Sequence, residues 1–537
     1  MGRSKKYLFY LFLLLMVLGS AILCGYALQN YRGTERAPIG NEGRSFSGPG
    51  RNGDPGGNQL PAERNGRQQG EFRGGGQLRE VQPGNRNSGG PTQPPGRGPN
   101  RGNVGTGSSY ALALNTYAVI FFSLFAAVYF IFKHRKLKTH PASGRLLILT
   151  LLGVGLLLRI ASATLMEGHP YDMGLFKSWA TTAAGNLFQV YSSGTASDYP
   201  PLYMYVLYVI GKLAGIPALS GYFSILVKLP SMLADIAVSL LLYRLAKKHL
   251  SAGAGVLVSA FYLFNPAVLI NSAFWGQVDS FFTLLVVGAL YLLSSKKLAF
   301  ASALFTAAVL MKPQGIIFLP VLFFELVRQK SLKAFVKAGI SVLVTALAVV
   351  LPFALKEGPL WIFNLFFGTI GEYPYASVNA FNFFSLLGGN YTRDSATLFL
   401  FSYHTWGMAF IVIATVFSWW IYARGKDSRY AFAAALFLIA GVFTFSARMH
   451  ERYLFPAAAL AVMAFLHLRD KRFLLLAAGF SGTIYANTQA VLFGALGGSR
   501  TMSPVMVITS VCNILLAVYL GKVLFDIAVR KKPRLFG

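Results

Sequence analysis

The sequence predicts an all-α, polytopic integral membrane protein, on two observations. First, 54% of its 537 residues are hydrophobic and only 13% are charged, whereas about a quarter of the residues of an ordinary soluble domain are charged. Second, the chain is a succession of apolar runs. A run crosses the hydrocarbon core with about 17 to 25 residues, or with fewer where neighbouring helices shelter it. About fourteen runs meet that description, so we expect about fourteen transmembrane helices.

The net charge of +30 decides between two classes of partner. Much of this charge lies in short Lys and Arg clusters between apolar runs, for example Lys296-Lys297. Clusters placed in this way orient the spans and contact anionic lipid headgroups, so we expect membrane lipids and no nucleic acid as partners. Cys24 and Cys512 each lie inside an apolar run, which leaves neither a disulfide framework nor a cysteine metal site.

The first apolar run, Tyr7 to Leu28, follows the basic start MGRSKK. This run is longer than the apolar core of a secretory signal, which has about 7 to 15 residues. We therefore expect residues 1–28 to form an uncleaved membrane anchor with its amino end in the cytoplasm. Cleavage after Ala27 is the alternative.

Residues 29–109 are rich in Gly, Pro, Asn, Gln and Arg and contain no Lys. Such a stretch cannot bury enough apolar surface to offset the entropy lost on ordering, so it is predicted to be a disordered extracellular segment. It serves either as a solvated spacer or as a surface that adheres to anionic wall polymers or lipids.

The basic clusters fix the topology of the rest of the chain. Residues 110–138 are predicted to be a second transmembrane helix with the basic cytoplasmic loop KHRKLK, and residues 139–537 to be the main domain. The run at 202–218 is short and interrupted. If it spanned, the following cluster Lys247-Lys248 would lie outside, against the positive-inside rule. We therefore expect 202–218 to be an interfacial or re-entrant helix of the first outer loop, and both chain termini to be cytoplasmic.

The apolar part of this chain contains few polar residues. On this topology, most of them fall outside the membrane or at its outer boundary. An unpaired ionised group in hydrocarbon is costly, so these residues are the functional candidates: Asp172, Asp198, Gln277, Asp279, Lys312, Gln314, Glu372, Asn379, Asn382, His450, Glu451 and Arg452. Asp235 lies inside a span instead. There we expect it to pair with a basic neighbour such as Arg244, or to form a hydrogen bond with a facing helix.

Five short motifs occur along the chain in one order and on one predicted side: DYPPL at 198–202, NP at 265–266, FWGQVDS at 274–280, KPQ at 312–314 and MHERY at 449–453. Together with Asp172 in the first outer loop, they resemble the GT-C superfamily of integral membrane glycosyltransferases, which use polyprenyl-phosphate sugars. Within it, the chain is most similar to bacterial relatives of the second mannosyltransferase of GPI-anchor assembly. The resemblance covers about Arg145 to the carboxyl end. It implies that residues 139–537 form a GT-C-like glycosyltransferase domain.

The sequence also points to a lipid-linked donor without this resemblance. No DxD triplet or Walker-type loop occurs, and no cytoplasmic stretch is long enough to fold a nucleotide-sugar domain. Transfer from a polyprenyl phosphate needs a base for the acceptor hydroxyl and cations for the leaving phosphate. We expect Asp172 to be the base of an inverting displacement, and Arg452, His450 and Lys312 to bind the donor phosphate.

The other candidates suit sugar hydroxyls, which amides, carboxylates and phenols bind by hydrogen bonds. We predict that the following residues bind the sugar or the acceptor: Gln277, Asp279, Gln314, Asp198, Tyr199, Glu372, Asn379 and Asn382. The sequence requires no cofactor. Asp172, Asp198 and Glu372 could hold a divalent metal, but no spacing demands one.

The predicted function is transfer of a hexose, with mannose the first expectation, on the extracellular side of the cell membrane. The acceptor is a glycolipid, a wall polymer or a protein. A polytopic transporter or flippase of a lipid-linked or cell-envelope substrate is the alternative. Transporters bind substrate near the midplane and often contain inverted repeats, whereas the polar residues here gather at one edge and no repeat is evident.

Overall fold

The computed structural model describes residues 3–31, 33, 104–134, 141–192, 197–358, 360–494 and 502–530. The chain divides into a unit of residues 1–35 with 105–537 and a unit of residues 36–104. The described part of the first unit is mainly helical, as predicted. Its α-helices are α1 (Arg3–Gln29), α2 (Val104–His134), α3 (Pro141–Ala163), α4 (Pro170–Gly185), α5 (Leu202–Ala214), α6 (Pro217–Ser220), α7 (Phe223–His249), α8 (Ala252–Leu263), α9 (Pro266–Leu269), α10 (Asp279–Ser294), α11 (Leu298–Met311), α12 (Leu319–Gln329), α13 (Leu332–Glu357), α14 (Trp361–Gly371), α15 (Phe383–Leu386), α16 (Tyr403–Gly425), α17 (Ala431–Phe445), α18 (Ala457–Leu468), α19 (Arg472–Leu492) and α20 (Pro504–Ala528).

Eight helical segments of the described chain are long and apolar enough to cross a membrane: Tyr7–Gln29, Tyr110–Ile131, Gly144–Ala163, Phe223–His249, Leu332–Glu357, Tyr403–Gly425, Ser428–Phe445 and Pro504–Ala528. A ninth is obtained if α8 and the segment Pro266–Trp275, which meet at a bend of 44°, count as one broken span. The chain is therefore a polytopic membrane protein.

Within the described residues, these eight or nine segments do not confirm the predicted number of about fourteen spans. The expected spans near 281–293 and 298–311 are α10 and α11, which have 16 and 14 residues. At about 1.5 Å per residue such helices are shorter than a hydrocarbon core of about 30 Å. Helix α5, which was expected to be interfacial or re-entrant, has 13 residues and is also too short to span by itself.

Helices α3 and α7 are joined inside the bundle by a buried ion pair. Arg159 Nε of α3 lies 3.1 Å from Asp235 Oδ2 of α7, and the two side chains are 2% and 0% exposed. Arg159 also donates hydrogen bonds to the backbone oxygens of Gly155 and Leu263. Asp235 thus pairs with Arg159 rather than with Arg244, and removing either partner would leave a buried charge uncompensated.

The connection from α13 to α16, expected as a long outer loop, is folded. It contains α14, α15 and a hairpin of two short strands, β1 (Thr397–Leu398) and β2 (Phe401–Ser402). Its middle part is fixed to the segment before α18, because Val378 N donates a hydrogen bond to Met449 O at 2.9 Å. The connection therefore brings residues 372–391 against residues 448–453.

The predicted disordered segment 29–109 lies outside the described residues except at its two ends, where α1 extends to Gln29 and α2 begins at Val104. The end of the basic loop at 135–138 and the tail at 531–537 also lie outside them. The structure therefore does not test these parts of the predicted domain organisation.

Candidate functional site

A cavity of about 510 Å³ lies among the beginning of α4, the turn after Trp275, the segment after α11, the end of α14 and the segment before α18. Ten of the twelve residues predicted from the sequence to act in catalysis or binding line it: Asp172, Asp198, Tyr199, Gln277, Lys312, Gln314, Glu372, Asn379, His450 and Arg452. Asp279 and Asn382 do not line it. The structure therefore gathers residues that are almost three hundred positions apart in the sequence.

Asp172 lies in the first turn of α4, which begins at Pro170. Its Oδ2 accepts hydrogen bonds from Trp275 Nε1 at 2.5 Å, Gln277 Nε2 at 2.9 Å and Arg452 Nη1 at 3.1 Å. No hydrogen bond from the described residues reaches Oδ1. One carboxylate oxygen is therefore fixed by three donors, while the other stays available to a molecule in the cavity.

The donors around Asp172 also set its protonation. Burial raises the pKa of the Asp172 carboxyl, but the Arg452 guanidinium, His169 and the hydrogen bonds from Trp275 and Gln277 outweigh it and hold this pKa below its usual value. Asp172 is therefore a carboxylate at neutral pH. A carboxylate in that position can accept a proton.

Two of the three donors are positioned by an irregular turn. Residues Ile270–Trp275 form a π-helical turn, in which Gly276 N donates to Asn271 O at 3.1 Å. Gly276 then has φ +83°, and a Cβ there would lie 2.6 Å from Met173 Sδ. A glycine is needed at this point because the conformation and the close approach both exclude a side chain. Together the π turn and Gly276 aim Trp275 and Gln277 at the same oxygen.

Arg452 contacts three carboxylates at the site. Its Nη1 lies 3.1 Å from Asp172 Oδ2 and 2.9 Å from Glu451 Oε1, and its Nε lies 3.7 Å from Asp279 Oδ2. Its guanidinium carbon is 4.4 Å from the centre of the Trp275 ring. Arg452 Nε is buried and has no hydrogen-bond partner among the described residues. The residue therefore has an unused donor although it contacts three carboxylates.

Asp279 lies behind the cavity wall, not on it. Its Oδ1 accepts from Lys312 Nζ at 2.5 Å and its Oδ2 from Asn271 Nδ2 at 3.0 Å. Lys312 Nζ is also 5.5 Å from the centre of the Tyr199 ring. This geometry assigns Asp279 a different task from the predicted contact with sugar: it holds Lys312 at the cavity wall.

Asp198 and Glu372 form a pair of acidic groups elsewhere in the cavity wall. Burial and the neighbouring Asp198 raise the pKa of Glu372 to about 7, and burial also raises the pKa of Asp198. Two adjacent carboxyl groups do not both ionise readily. Near neutral pH the pair therefore exchanges a proton with the solvent, and in its protonated form it can donate a hydrogen bond.

His450 lines the cavity between two tyrosine rings. Its ring centre is 4.8 Å from that of Tyr373 and 5.0 Å from that of Tyr453. Burial and the charge of Arg452 lower the pKa of His450 to about 3. His450 is therefore neutral at physiological pH, and any contact it makes with a phosphate would be a hydrogen bond rather than an ion pair.

The two predicted asparagines have different surroundings. Asn379 lines the cavity, and its Nδ2 donates to the Tyr391 hydroxyl at 3.0 Å. Asn382 is fully buried, and its side chain caps α15 in a capping box with Ser385. The prediction that Asn382 binds sugar or acceptor is therefore corrected: its side chain is used by the backbone and lies away from the cavity.

His169, Trp275 and Glu451 are part of the site but were given no role from the sequence. The His169 ring stacks on Trp275 with ring centres 4.7 Å apart and planes at 13°. Its Nδ1 lies 3.6 Å from Asp172 Oδ2 and has no hydrogen-bond partner among the described residues. Glu451 was among the polar candidates without an assigned role, and Trp275 belongs to the FWGQVDS motif. His169 gave no signal other than its proximity to Asp172 along the chain.

No group of three or more His, Cys, Asp or Glu side chains that could hold a metal ion occurs within the described ranges. Asp172, Asp198 and Glu372, the candidates from the sequence, line the same cavity but do not form such a group.

The spans and the cavity lined by charged residues together define the class: a polytopic membrane protein with a charged site in a cavity. One family model, described as "PIG-U: GPI transamidase subunit PIG-U", matches residues 175–356. The matched segment contains Asp198, Trp275, Gln277 and Lys312, but it begins after Asp172 and ends before Arg452. No curated protein matches the chain.

Proposed function

We propose that this protein is a membrane glycosyltransferase that moves a hexose, mannose in the first instance, from a polyprenyl-phosphate donor to an acceptor hydroxyl. The reaction takes place at the outer face of the cell membrane, by inverting displacement. One observation carries the proposal. Asp172 is ionised, anchored through Oδ2 and open through Oδ1 to a cavity large enough for a sugar.

The proposed step is a single displacement. The acceptor oxygen attacks the anomeric carbon from the side opposite the phosphate, and its proton passes to Asp172 Oδ1. The bond between the anomeric carbon and the phosphate oxygen breaks, and its electron pair leaves with the polyprenyl phosphate. The three donors on Oδ2 keep the carboxylate oriented for this transfer, which is the ordinary requirement of a general base.

The leaving phosphate needs positive charge, and Arg452 and Lys312 supply it. Both cations are already paired with carboxylates within the protein, so neither charge is left uncompensated. A bound phosphate would compete with Glu451 for Arg452 Nη1 and with Asp279 for Lys312 Nζ. Hydrogen bonds between a cation and a phosphate oxygen are stronger than hydrogen bonds between neutral groups.

The sugar hydroxyls and the acceptor would contact the remaining cavity wall. Asp198, Tyr199, Gln314, Glu372 and Asn379 provide carboxyl, phenol and amide groups there. Gln314 Nε2 is buried without a hydrogen-bond partner among the described residues, and a sugar hydroxyl is an acceptor that would satisfy it.

A second candidate function is a non-catalytic membrane subunit that holds a lipid-linked glycan. The observation in its favour is the matched family, whose description is that of a transamidase subunit. The matched segment also omits Asp172, the proposed base. A subunit of this kind would use the same cavity for binding and would not turn over a donor.

The deciding experiment compares donor consumption by the purified full chain and by two asparagine variants in nanodiscs. Polyprenyl-phosphate mannose and glucose are the donors, and a membrane extract supplies the acceptor. Asp172→Asn should lower the rate by about a hundredfold or more. Asp427→Asn, which changes a carboxylate paired with Arg429 outside the cavity, should leave it unchanged.

Three results would contradict the proposal. If neither donor is consumed while labelled lipid-linked glycan still binds, the subunit function is favoured. If the chain moves the lipid-linked substrate across a vesicle membrane without chemical change, it is a transporter or flippase. If Asp172→Asn turns over like the wild type, Asp172 is not the base.

A further inference from the structure

The connection between α14 and α16 ends in a hairpin whose tip is apolar and uncovered. Strands β1 and β2 pair Leu398 with Phe401, so that Phe399 and Leu400 are the two turn residues. Their side chains are 81% and 83% exposed, and that of Phe401 is 51% exposed. Three consecutive large apolar side chains left uncovered by their own protein indicate a contact with something else.

The turn itself does not explain these residues. Two-residue hairpin turns favour Asn, Asp and Gly, because a positive φ is required there. Phe399 has φ +58°, a conformation that is strained for a bulky residue. The chain therefore places two large apolar residues where the local backbone favours small or polar ones.

The hairpin is fixed to the first turn of α16. Ser402 Oγ caps this helix by accepting a hydrogen bond from Thr405 N at 3.1 Å. Trp406 Nε1 donates to Leu398 O at 2.9 Å, and the Trp406 ring lies 5.4 Å from that of Phe401. These contacts attach the base of the hairpin to the helix.

Helix α16 is one of the candidate spans, and its uncovered face continues from the hairpin. Met408, Val412 and Val416, spaced four residues apart on one face, are 49%, 58% and 59% exposed. In a membrane this face meets lipid. Tryptophan is typical of the boundary between hydrocarbon and water, and Trp406 lies between the hairpin and the exposed face of the span.

We propose that Phe399, Leu400 and Phe401 insert into the membrane leaflet that surrounds the hairpin end of α16. The tip contacts lipid because it continues the lipid-facing surface of α16. The inference rests on the membrane span α16 and not on glycosyl transfer.

The insertion would tie the cavity to the bilayer. Asp394, just before β1, accepts a hydrogen bond from Arg448 Nε at 2.7 Å, and Arg448 lines the cavity. Arg448 Nη1 also donates to Ile370 O at the end of α14. The membrane-inserted tip would therefore hold the wall formed by residues 370–394 and 448 at a fixed height relative to the lipid headgroups.

The test places an environment-sensitive fluorophore at single cysteines in a full-length chain in which Cys24 and Cys512 are replaced by serine. Leu400→Cys labels the tip, Val412→Cys is the lipid-facing reference, and Ser395→Cys is an exposed polar reference beside the hairpin. Each labelled protein is reconstituted as one chain per nanodisc. Its quenching is measured with lipids brominated at shallow and deep acyl positions and with aqueous iodide.

We expect the shallow brominated lipid to quench the Leu400→Cys label at least half as strongly as it quenches Val412→Cys, with little effect of iodide. Ser395→Cys should show the reverse. If the Leu400→Cys label is quenched by iodide like Ser395→Cys, the tip is in water and the proposal fails. If neither agent reaches it, protein covers the tip and the lipid assignment is overturned.

Discussion

Lys312 and Asp279 form a buried ion pair beside the cavity: Lys312 Nζ lies 2.5 Å from Asp279 Oδ1, and the two side chains are 6% and 2% exposed. The second carboxylate oxygen of Asp279 is 3.7 Å from Arg452 Nε. A single carboxylate therefore lies between the two cations of the proposed phosphate site. It fixes the position of both before any substrate enters.

Substitutions of Lys312 and Asp279 should have non-additive effects on the free energy of unfolding. Lys312→Met leaves the Asp279 carboxylate buried without its closest cation, which should lower the free energy of unfolding by about 3–5 kcal/mol. The double variant Lys312→Met/Asp279→Asn should lose less than the single variant, because no unpaired charge remains. Denaturant unfolding in mixed micelles measures both values. Losses that simply add would show that the pair is not coupled.

Gly276→Ala should disturb the anchoring of Asp172. The new Cβ would lie 2.6 Å from Met173 Sδ at a residue whose φ is +83°, so the turn must shift and move Trp275 and Gln277. We expect a loss of at least 1 kcal/mol in unfolding free energy and a lower rate of donor turnover. Gly174→Ala is the matched control, because a Cβ there meets no atom within 4 Å. Equal behaviour of the two variants would contradict the requirement for glycine.

Trp275→Phe should shift the pH dependence of the site. The indole N–H stabilises the ionised form of Asp172, so its loss raises the pKa of this carboxyl. The lowered pKa of Asp172 contributes stability that is present above about pH 4, the unfolded value, and is lost as the pH falls through the folded value. In the variant the acid limb of turnover should lie at higher pH. Trp406→Phe, which removes an indole hydrogen bond to Leu398 O, should leave the profile unchanged.

The Asp198–Glu372 pair should make the protein less stable as the pH rises, whereas Asp172 makes it less stable as the pH falls. Because the pKa of Glu372 is raised to about 7, the folded chain binds a proton that the unfolded chain releases above about pH 4.3. Stability should therefore fall as the pH rises from about 4.3 to 7. Glu372→Gln should remove this slope, and Asp198→Asn should move it to lower pH. The melting temperature of each protein between pH 4.5 and 8 measures the effect; an unchanged slope in Glu372→Gln would assign it to another group.

The proposed sidedness, with the cavity on the extracellular side, predicts the labelling of single cysteines in intact cells. A membrane-impermeant maleimide should label Ser395→Cys, near the cavity, and should label Lys296→Cys only after permeabilisation, because paired basic residues favour the cytoplasmic side. Both are made in a chain without Cys24 and Cys512. Labelling of Lys296→Cys from outside would invert the proposed topology and place the cavity in the cytoplasm.

Much of the cavity wall was predictable because charged residues are rare in an apolar chain. Asp172, Lys312 and Arg452 are conspicuous against such a background, and each lines the cavity. Trp275 and His169 were not recognised, since an aromatic residue is ordinary in a membrane sequence. Their role depends on a π turn that no local pattern predicts.

Other differences between the predictions from the sequence and the structure also have specific physical causes. Asn382 is followed three residues later by Ser385, which with it forms the capping box that buries its side chain; the sequence contained this signal, but a sugar contact was inferred instead. The partner of Asp235 is Arg159, 76 positions away, and single-sequence reasoning cannot establish such a pair. Helices α10 and α11 were counted among the expected spans because both are strongly apolar, although they have only 16 and 14 residues.

The π turn at Ile270–Trp275 also makes the site sensitive to chain length. In this turn the hydrogen bond joins residues five apart, Asn271 O and Gly276 N, so the backbone contains one residue more than an α-helix of the same height. Deleting Ala273 would allow an ordinary helix to form. Each residue of an α-helix turns the chain by about 100°, so the indole would point away from Asp172 while the helix itself became more regular.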